Sequence, residues 1–175
     1  MSKNAKTAQY LILLFAFSSV VYKIVLFAFD LQLTSLRNSD TLFNILLCLL
    51  SVFFGIFFFL KENIAGNTFV DVFKVGLRSA VLFSLLIASF NFMYYRYIDP
   101  YFLNTMILDN ARELVIQGAD KEKIIEYVAG AKLFLTPYNT AFLTFFIYLI
   151  TGLLYSLFVT LMFAKIPYLQ RLVLK

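Results

Sequence analysis

Four long apolar stretches constrain this chain more than any other feature. A helix needs about 20 residues to cross the hydrocarbon core of a membrane, and each stretch reaches that length. The stretches cover residues 10–29, 41–60, 75–97 and 139–163. Hydrophobic residues make up 62% of the chain and charged residues 14%, unlike the balance of soluble domains. The sequence therefore predicts an all-α polytopic membrane protein, with four transmembrane helices in a single domain over residues 1–175.

Lys and Arg in the flanks of the spans predict the orientation, because cytoplasmic segments are enriched in them. With the amino terminus inside, the inner segments contain eight bases and two acids: Lys3, Lys6, Lys61, Lys74, Arg78, Lys165, Arg171 and Lys175 against Glu62 and Asp71. The outer segments contain fewer bases than acids: Arg37, Arg96, Arg112, Lys121, Lys123 and Lys132 against Asp30, Asp40, Asp99, Asp109, Glu113, Asp120, Glu122 and Glu126. Both termini are predicted to be cytoplasmic. The net charge of +5 then mostly reflects an inner face that lies against anionic lipid. It gives no reason to expect binding to nucleic acid.

The segment between the third and fourth spans predicts an outward hairpin of two amphipathic helices, at about 99–136. Asp99 and Pro100 are typical of a helix start, and Gly118 is typical of a helix end. Asp120 begins a second helix with apolar residues at helical spacing. Such a hairpin either lies on the outer leaflet or caps the bundle, or it presents a docking surface to another protein's helix.

The stretch NFMYYRYIDPYF places one arginine among aromatic residues at the end of the third span. Tyrosine rings favour the membrane-water boundary, where an arginine can reach lipid phosphate or a carboxylate. The stretch is therefore an interface anchor, or part of a pocket for an anionic lipid headgroup. The candidate residues for that pocket are Arg96, Lys23, Tyr95, Tyr97 and Asp99.

Lys23 is the one charged residue within the core of a predicted span, and such residues often indicate function. It precedes Asp30 by seven residues, so it lies about 10 Å from the outer end of its helix. Its side chain can extend to the interface, or it can pair with an outer acid such as Asp99 or with a lipid phosphate.

Small residues recur at every fourth position in the third and fourth spans. These two ridges are Gly76, Ala80, Ser84 and Ala88, and Gly152, Ser156, Thr160 and Ala164. Close backbone approach through small residues is a main source of helix association in lipid. The ridges are expected to hold the bundle together, or one of them faces a partner subunit.

The residues of common catalytic and metal sites are scarce. The chain has no His, no Trp and one Cys, and it contains no phosphate-binding loop or hydrolase motif. The hairpin acids alternate with bases at spacings typical of helical ion pairs. We therefore assign no catalytic, cofactor-binding or metal-binding residue, and the sequence favours a protein that is not an enzyme.

Three segments resemble a known family: FVDVFKVGLRSAVLFSLLIASFNFMYYRYIDPYF, the acidic hairpin ending near FLTPYNT, and FFIYLITGLLYSLFVTLMFAK. Their order and spacing are similar to the bacterial inner-membrane family called domain of unknown function 4199, found mainly in Bacteroidota. The resemblance implies a four-helix inner-membrane protein and no particular activity.

The sequence thus favours an accessory or assembly subunit that acts through its ridges and its hairpin, with membrane lipid and another membrane protein, or a second copy, as partners. Two alternatives remain: a small lipid-binding or lipid-translocating protein, and a partner in polyprenyl-phosphate-linked glycosyl transfer.

Overall fold

The computed structural model describes residues 3–32, 34, 39–62 and 67–166, and over these residues it is helical with short connections. The helices are α1 (Lys3–Ala28), α2 (Ser39–Glu62), α3 (Phe69–Met93), α4 (Phe102–Ile116), α5 (Lys121–Phe134) and α6 (Pro137–Lys165). A π-helical turn, Tyr94–Ile98, extends α3. Four helices are long and apolar enough to cross a membrane: α1, α2, α3 with its π-helical turn, and α6. This confirms the predicted fold class. Among the charges used for orientation, Arg37, Arg171 and Lys175 lie outside the described residues.

Contacts divide the chain into two compact units. Unit 1 comprises Met1–Ile87 and Phe145–Lys175, and unit 2 comprises Ala88–Thr144. The core of unit 1 has two clusters of buried side chains. The first contains Ile12, Ala16, Leu47, Cys48, Phe83, Ile87 and Tyr148, and the second contains Val52, Ile56, Val72, Ala80, Val159 and Phe163. The first cluster therefore joins α1, α2, α3 and α6, and the second joins α2, α3 and α6.

Side-chain caps fix where α3 and α6 begin. Thr68 and Asp71 form a reciprocal capping box, in which the Asp71 amide donates to Thr68 Oγ1 at 3.2 Å and the Thr68 amide donates to Asp71 Oδ2 at 3.1 Å. At the start of α6, Thr136 Oγ1 accepts a hydrogen bond from the Asn139 amide at 3.2 Å. Pro137 follows at the first helical position, where its missing N–H costs nothing.

Residues in the left-handed conformation end α1 and α4. Gly118, with φ of 77°, follows α4, and Asp30, with φ of 54°, follows α1. In both places two backbone amides turn back onto the last carbonyls of the helix, as in a Schellman motif. Gly118 adopts this conformation without steric cost, whereas Asp30 has a Cβ that disfavours it.

Helices α4 and α5 form a hairpin within unit 2. Asn110 on α4 donates a hydrogen bond to the Tyr127 hydroxyl on α5 at 3.0 Å. Helix α4 buries Leu103, Ile107 and Ala111, whereas α5 has no buried residue. The second helix of the hairpin therefore remains largely uncovered.

Candidate functional site

The aromatic end of α3 adopts a π-helical turn that separates buried from exposed side chains. The Asp99 amide donates to the Tyr94 carbonyl at 2.9 Å, a bond that spans five residues instead of four. Tyr94 and Tyr95 are buried, with exposed fractions of 0% and 8%, and the next residue, Arg96, is exposed. Such insertions often occur at functional sites.

Two of the predicted headgroup residues in unit 2 have internal contacts. The Tyr95 ring stacks on Phe102 with centroids 5.6 Å apart, and it meets Tyr94 edge to face at 5.2 Å. Asp99 accepts hydrogen bonds from the Tyr94 hydroxyl at 3.3 Å and from the Phe102 amide at 3.0 Å. Tyr95 therefore packs inward, and the Asp99 carboxylate caps the turn that leads into α4.

Arg96 and Tyr97 face outward from the same turn. Tyr97 is 72% exposed, and Tyr101 nearby is 76% exposed. Within the part of the chain that the structure describes, Arg96 forms no ion pair or hydrogen bond. Its guanidinium is thus available to an external anion.

Lys23 lies in unit 1 and has a partner there. Its Nζ lies 3.3 Å from Asp40 Oδ2, and the two side chains are 9% and 21% exposed. Asp40 occupies the first turn of α2, where the helix dipole favours a negative charge. The Lys23 ammonium is therefore neutralised across the contact between α1 and α2.

A hydrogen-bonded network extends from this ion pair. Ser19 donates to Asn44 Oδ1, and the Asn44 amide donates to the carbonyl and to Oδ1 of Asp40 at 2.9 and 3.0 Å. Ser19 and Asn44 are 2% and 3% exposed. An additional bond of 2.8 Å joins the Tyr22 hydroxyl to Ser39. The arrangement satisfies polar groups inside an apolar helix pair, where an isolated charge would be costly.

The roles of Asp40, Asn44 and Ser19 were not predicted from the sequence. Ser19 precedes Lys23 by four residues, and Asp40 precedes Asn44 by four, so each pair occupies one helix face. Because consecutive spans are antiparallel, the end of α1 and the start of α2 lie at the same membrane surface. Matching these two polar pairs across the hairpin would have identified the network.

The small-residue ridges approach each other in unit 1. A Cβ on Gly76 would lie 2.9 Å from Ser156 Oγ, and a Cβ on Gly152 would overlap the Ala80 Cβ. Ser84 is fully buried, Ala88 in unit 2 is 7% exposed, Thr160 is 2% exposed, and Ala164 is exposed. On the second span, a Cβ on Gly55 would overlap the Ser79 side chain. The backbones of α2, α3 and α6 therefore approach more closely than larger residues would allow.

Four spanning-length apolar helices and a buried polar network define the class: this is a multi-pass helical membrane protein. It belongs to the family described as "Protein of unknown function (DUF4199)", whose family model matches residues 11–165. This match confirms the expected family. No curated protein and no solved structure matches the chain.

Proposed function

We propose that this protein is a non-catalytic subunit of a membrane complex and binds another protein through α5. In this proposal the protein lies in a bacterial inner membrane, with both termini in the cytoplasm and the α4–α5 hairpin outside. The observation that supports it is a helix of 14 residues that buries none of them. A helix of this length is marginal in isolation, and most helices gain their stability from packing an apolar face.

The exposed face of α5 contains an apolar stripe. Ile125 and Leu133 are 69% and 80% exposed, and the exposed Ala129 lies midway between them. Steps of four residues keep these side chains on one helical face. This spacing is typical of a helix that docks against a second helix or into a groove.

Opposite charges flank the stripe. At about 100° per residue, Glu122 and Glu126 lie along one side and Lys132 lies on the other, whereas Lys121 precedes Ile125 by four residues and so lies at the start of the stripe. All four are exposed. A membrane-surface helix instead has a wide apolar face and a polar face rich in Lys and Arg. A narrow stripe with two acids on one side and a base on the other resembles the seam of a helix pair, so we propose an amphipathic helix with the complementary charge pattern as the partner.

Site-specific photocrosslinking in native membranes tests this proposal. A photoreactive residue at Ile125 should give one adduct with a defined second protein. The matched control is Lys123, which is exposed and lies about 160° from Ile125 around α5. Adducts with lipid alone at Ile125, or equal protein adducts at both positions, would contradict the proposal.

A second candidate function is the binding of a lipid with an anionic headgroup, such as a phospholipid or a polyprenyl phosphate. The exposed position of Arg96 beside Tyr97 favours it. Native mass spectrometry of the gently extracted protein should then detect a bound anionic lipid that Arg96→Gln removes. Arg112→Gln is the matched control, because Arg112 is also an exposed arginine of unit 2. Detection of a stoichiometric second protein and no lipid would instead favour the proposal that this protein is a subunit of a complex.

A further inference from the structure

Unit 1 contains a cavity of about 260 Å³ between the first half of α1, the last two turns of α2 and α3. Ile12, Phe59 and Leu82 provide apolar walls. The small residues Ala5 and Ala8 also line it, and their size leaves space beside α1, whereas Gly55 lines it where α2 is in close contact with Ser79. The hydroxyl of Ser79, another lining residue, donates to the Val75 carbonyl at 3.1 Å and so has its hydrogen bond within α3. The interior therefore suits hydrocarbon.

The size of the cavity limits what it can hold. Complete small-molecule sites usually measure about 300–1,000 Å³, so this cavity accommodates a segment of a ligand. Along α2, Gly55 and Glu62 are seven residues apart, which corresponds to roughly 10 Å. An elongated apolar segment with a polar end fits these dimensions, as in part of an acyl chain and the headgroup attached to it.

Two opposite charges line the same cavity. Glu62 is the last residue of α2, and Arg78 projects from α3. Arg78 is exposed and forms no ion pair or hydrogen bond with another described residue. A guanidinium binds phosphate through paired charge-assisted hydrogen bonds, and a carboxylate accepts hydrogen bonds from an ammonium group. A headgroup with both groups would match both residues.

We propose that this cavity binds an aminophospholipid, with an acyl segment against Ile12, Phe59 and Leu82. Arg78 binds its phosphate, and Glu62 accepts hydrogen bonds from its primary ammonium. The glycerol hydroxyls of a phosphatidylglycerol can donate hydrogen bonds to Glu62, but they carry no positive charge. A phosphatidylcholine has no N–H to donate. The site therefore selects phosphatidylethanolamine over both, and this selection is independent of the hairpin and of Arg96.

Native mass spectrometry of the delipidated full chain tests the selection. The protein is incubated with equal amounts of phosphatidylethanolamine, phosphatidylglycerol and phosphatidylcholine that have identical acyl chains. Phosphatidylethanolamine should dominate the bound fraction, and Arg78→Gln should reduce its binding at least about tenfold, because a charge-assisted contact is lost. Lys74→Gln is the matched control, since Lys74 is an exposed base one turn earlier on α3 that does not line the cavity. The Lys74→Gln variant should bind as much phosphatidylethanolamine as the unaltered chain.

Two further variants separate the headgroup from the acyl segment. Glu62→Gln should reduce the preference for phosphatidylethanolamine over phosphatidylcholine while phosphate binding persists. Ala8→Phe should fill the cavity and reduce binding of all three lipids, and its SDS unfolding midpoint shows whether the fold is retained. Equal binding of the three lipids to the unaltered chain, or unchanged binding to both Arg78→Gln and a folded Ala8→Phe, would overturn the proposal.

Discussion

Gly152 on α6 and Ala80 on α3 touch so closely that a Cβ on the glycine would overlap the Ala80 Cβ. The same Cβ would lie 3.5 Å from Cys48 Sγ on α2. Gly152 therefore lies where α6 comes close to both α3 and α2.

We expect Gly152→Val to lower the free energy of unfolding by about 1–3 kcal/mol, the usual cost of overpacking. SDS titration of the purified protein measures it. Gly130→Ala is the control, because a Cβ on Gly130 would meet nothing within 4 Å. It should be neutral or stabilising, since alanine favours helix. Equal losses for the two variants would contradict the assigned role of the contact.

The Lys23–Asp40 ion pair predicts coupling between two substitutions. Lys23→Met should lower the free energy of unfolding by about 2 kcal/mol, because it leaves a mostly buried carboxylate unpaired. Asp40→Asn should have a similar effect, because it removes the carboxylate that lies 3.3 Å from the Lys23 ammonium. The double variant should lose less free energy of unfolding than the two single variants lose together, since neither charge then remains. Strictly additive losses in the double-mutant cycle would show that the two side chains do not interact.

The left-handed residue after α1 predicts a stabilising substitution. Asp30→Gly should raise the free energy of unfolding by about 0.5–1 kcal/mol, because glycine adopts positive φ without the steric cost of a Cβ. Gly118→Ala is the reciprocal test, since a Cβ there meets nothing within 4 Å and only backbone strain changes. It should lower stability by about 1 kcal/mol. A loss of stability in Asp30→Gly would imply that its carboxylate has a role of its own.

Two threonine hydroxyls predict opposite responses to valine. Thr160 Oγ1 is buried and has no hydrogen-bond partner among the described residues. Thr144 Oγ1 donates to the Thr140 carbonyl at 2.8 Å and accepts from Asn91 at 3.3 Å. Thr160→Val should raise the free energy of unfolding by up to about 1 kcal/mol, and Thr144→Val should lower it by about 1 kcal/mol. A destabilised Thr160→Val would reveal a partner for that hydroxyl.

Segment length and apolar content were sufficient to predict the four spanning-length helices, since a lipid-crossing helix leaves a long, continuous signal. Helix boundaries depend on local caps: α3 begins at Phe69, well before the apolar stretch at Val75, because Thr68 and Asp71 close its first turn. The apolar pattern does not predict such a cap, because polar residues outside the stretch form it.

The polar site was harder to predict because its partners are distant in sequence. Lys23 stood out as an unusual charge, but its partner Asp40 looked like an ordinary residue of an outer loop. Tyr95 likewise belonged to an interface pattern, yet its ring is buried against Phe102. Composition predicts where aromatic residues accumulate, whereas the direction of each side chain depends on the backbone turn beneath it.

The π-helical turn at Tyr94–Ile98 acts as a one-residue insertion. An α-helix rotates about 100° for each residue, so the extra residue changes the angular position of all that follows it in unit 2. Loss of a single codon within this turn would restore the ordinary helical repeat and move Arg96 or its neighbours to a different face. Changes in length at this point should therefore be less tolerated than changes in residue type.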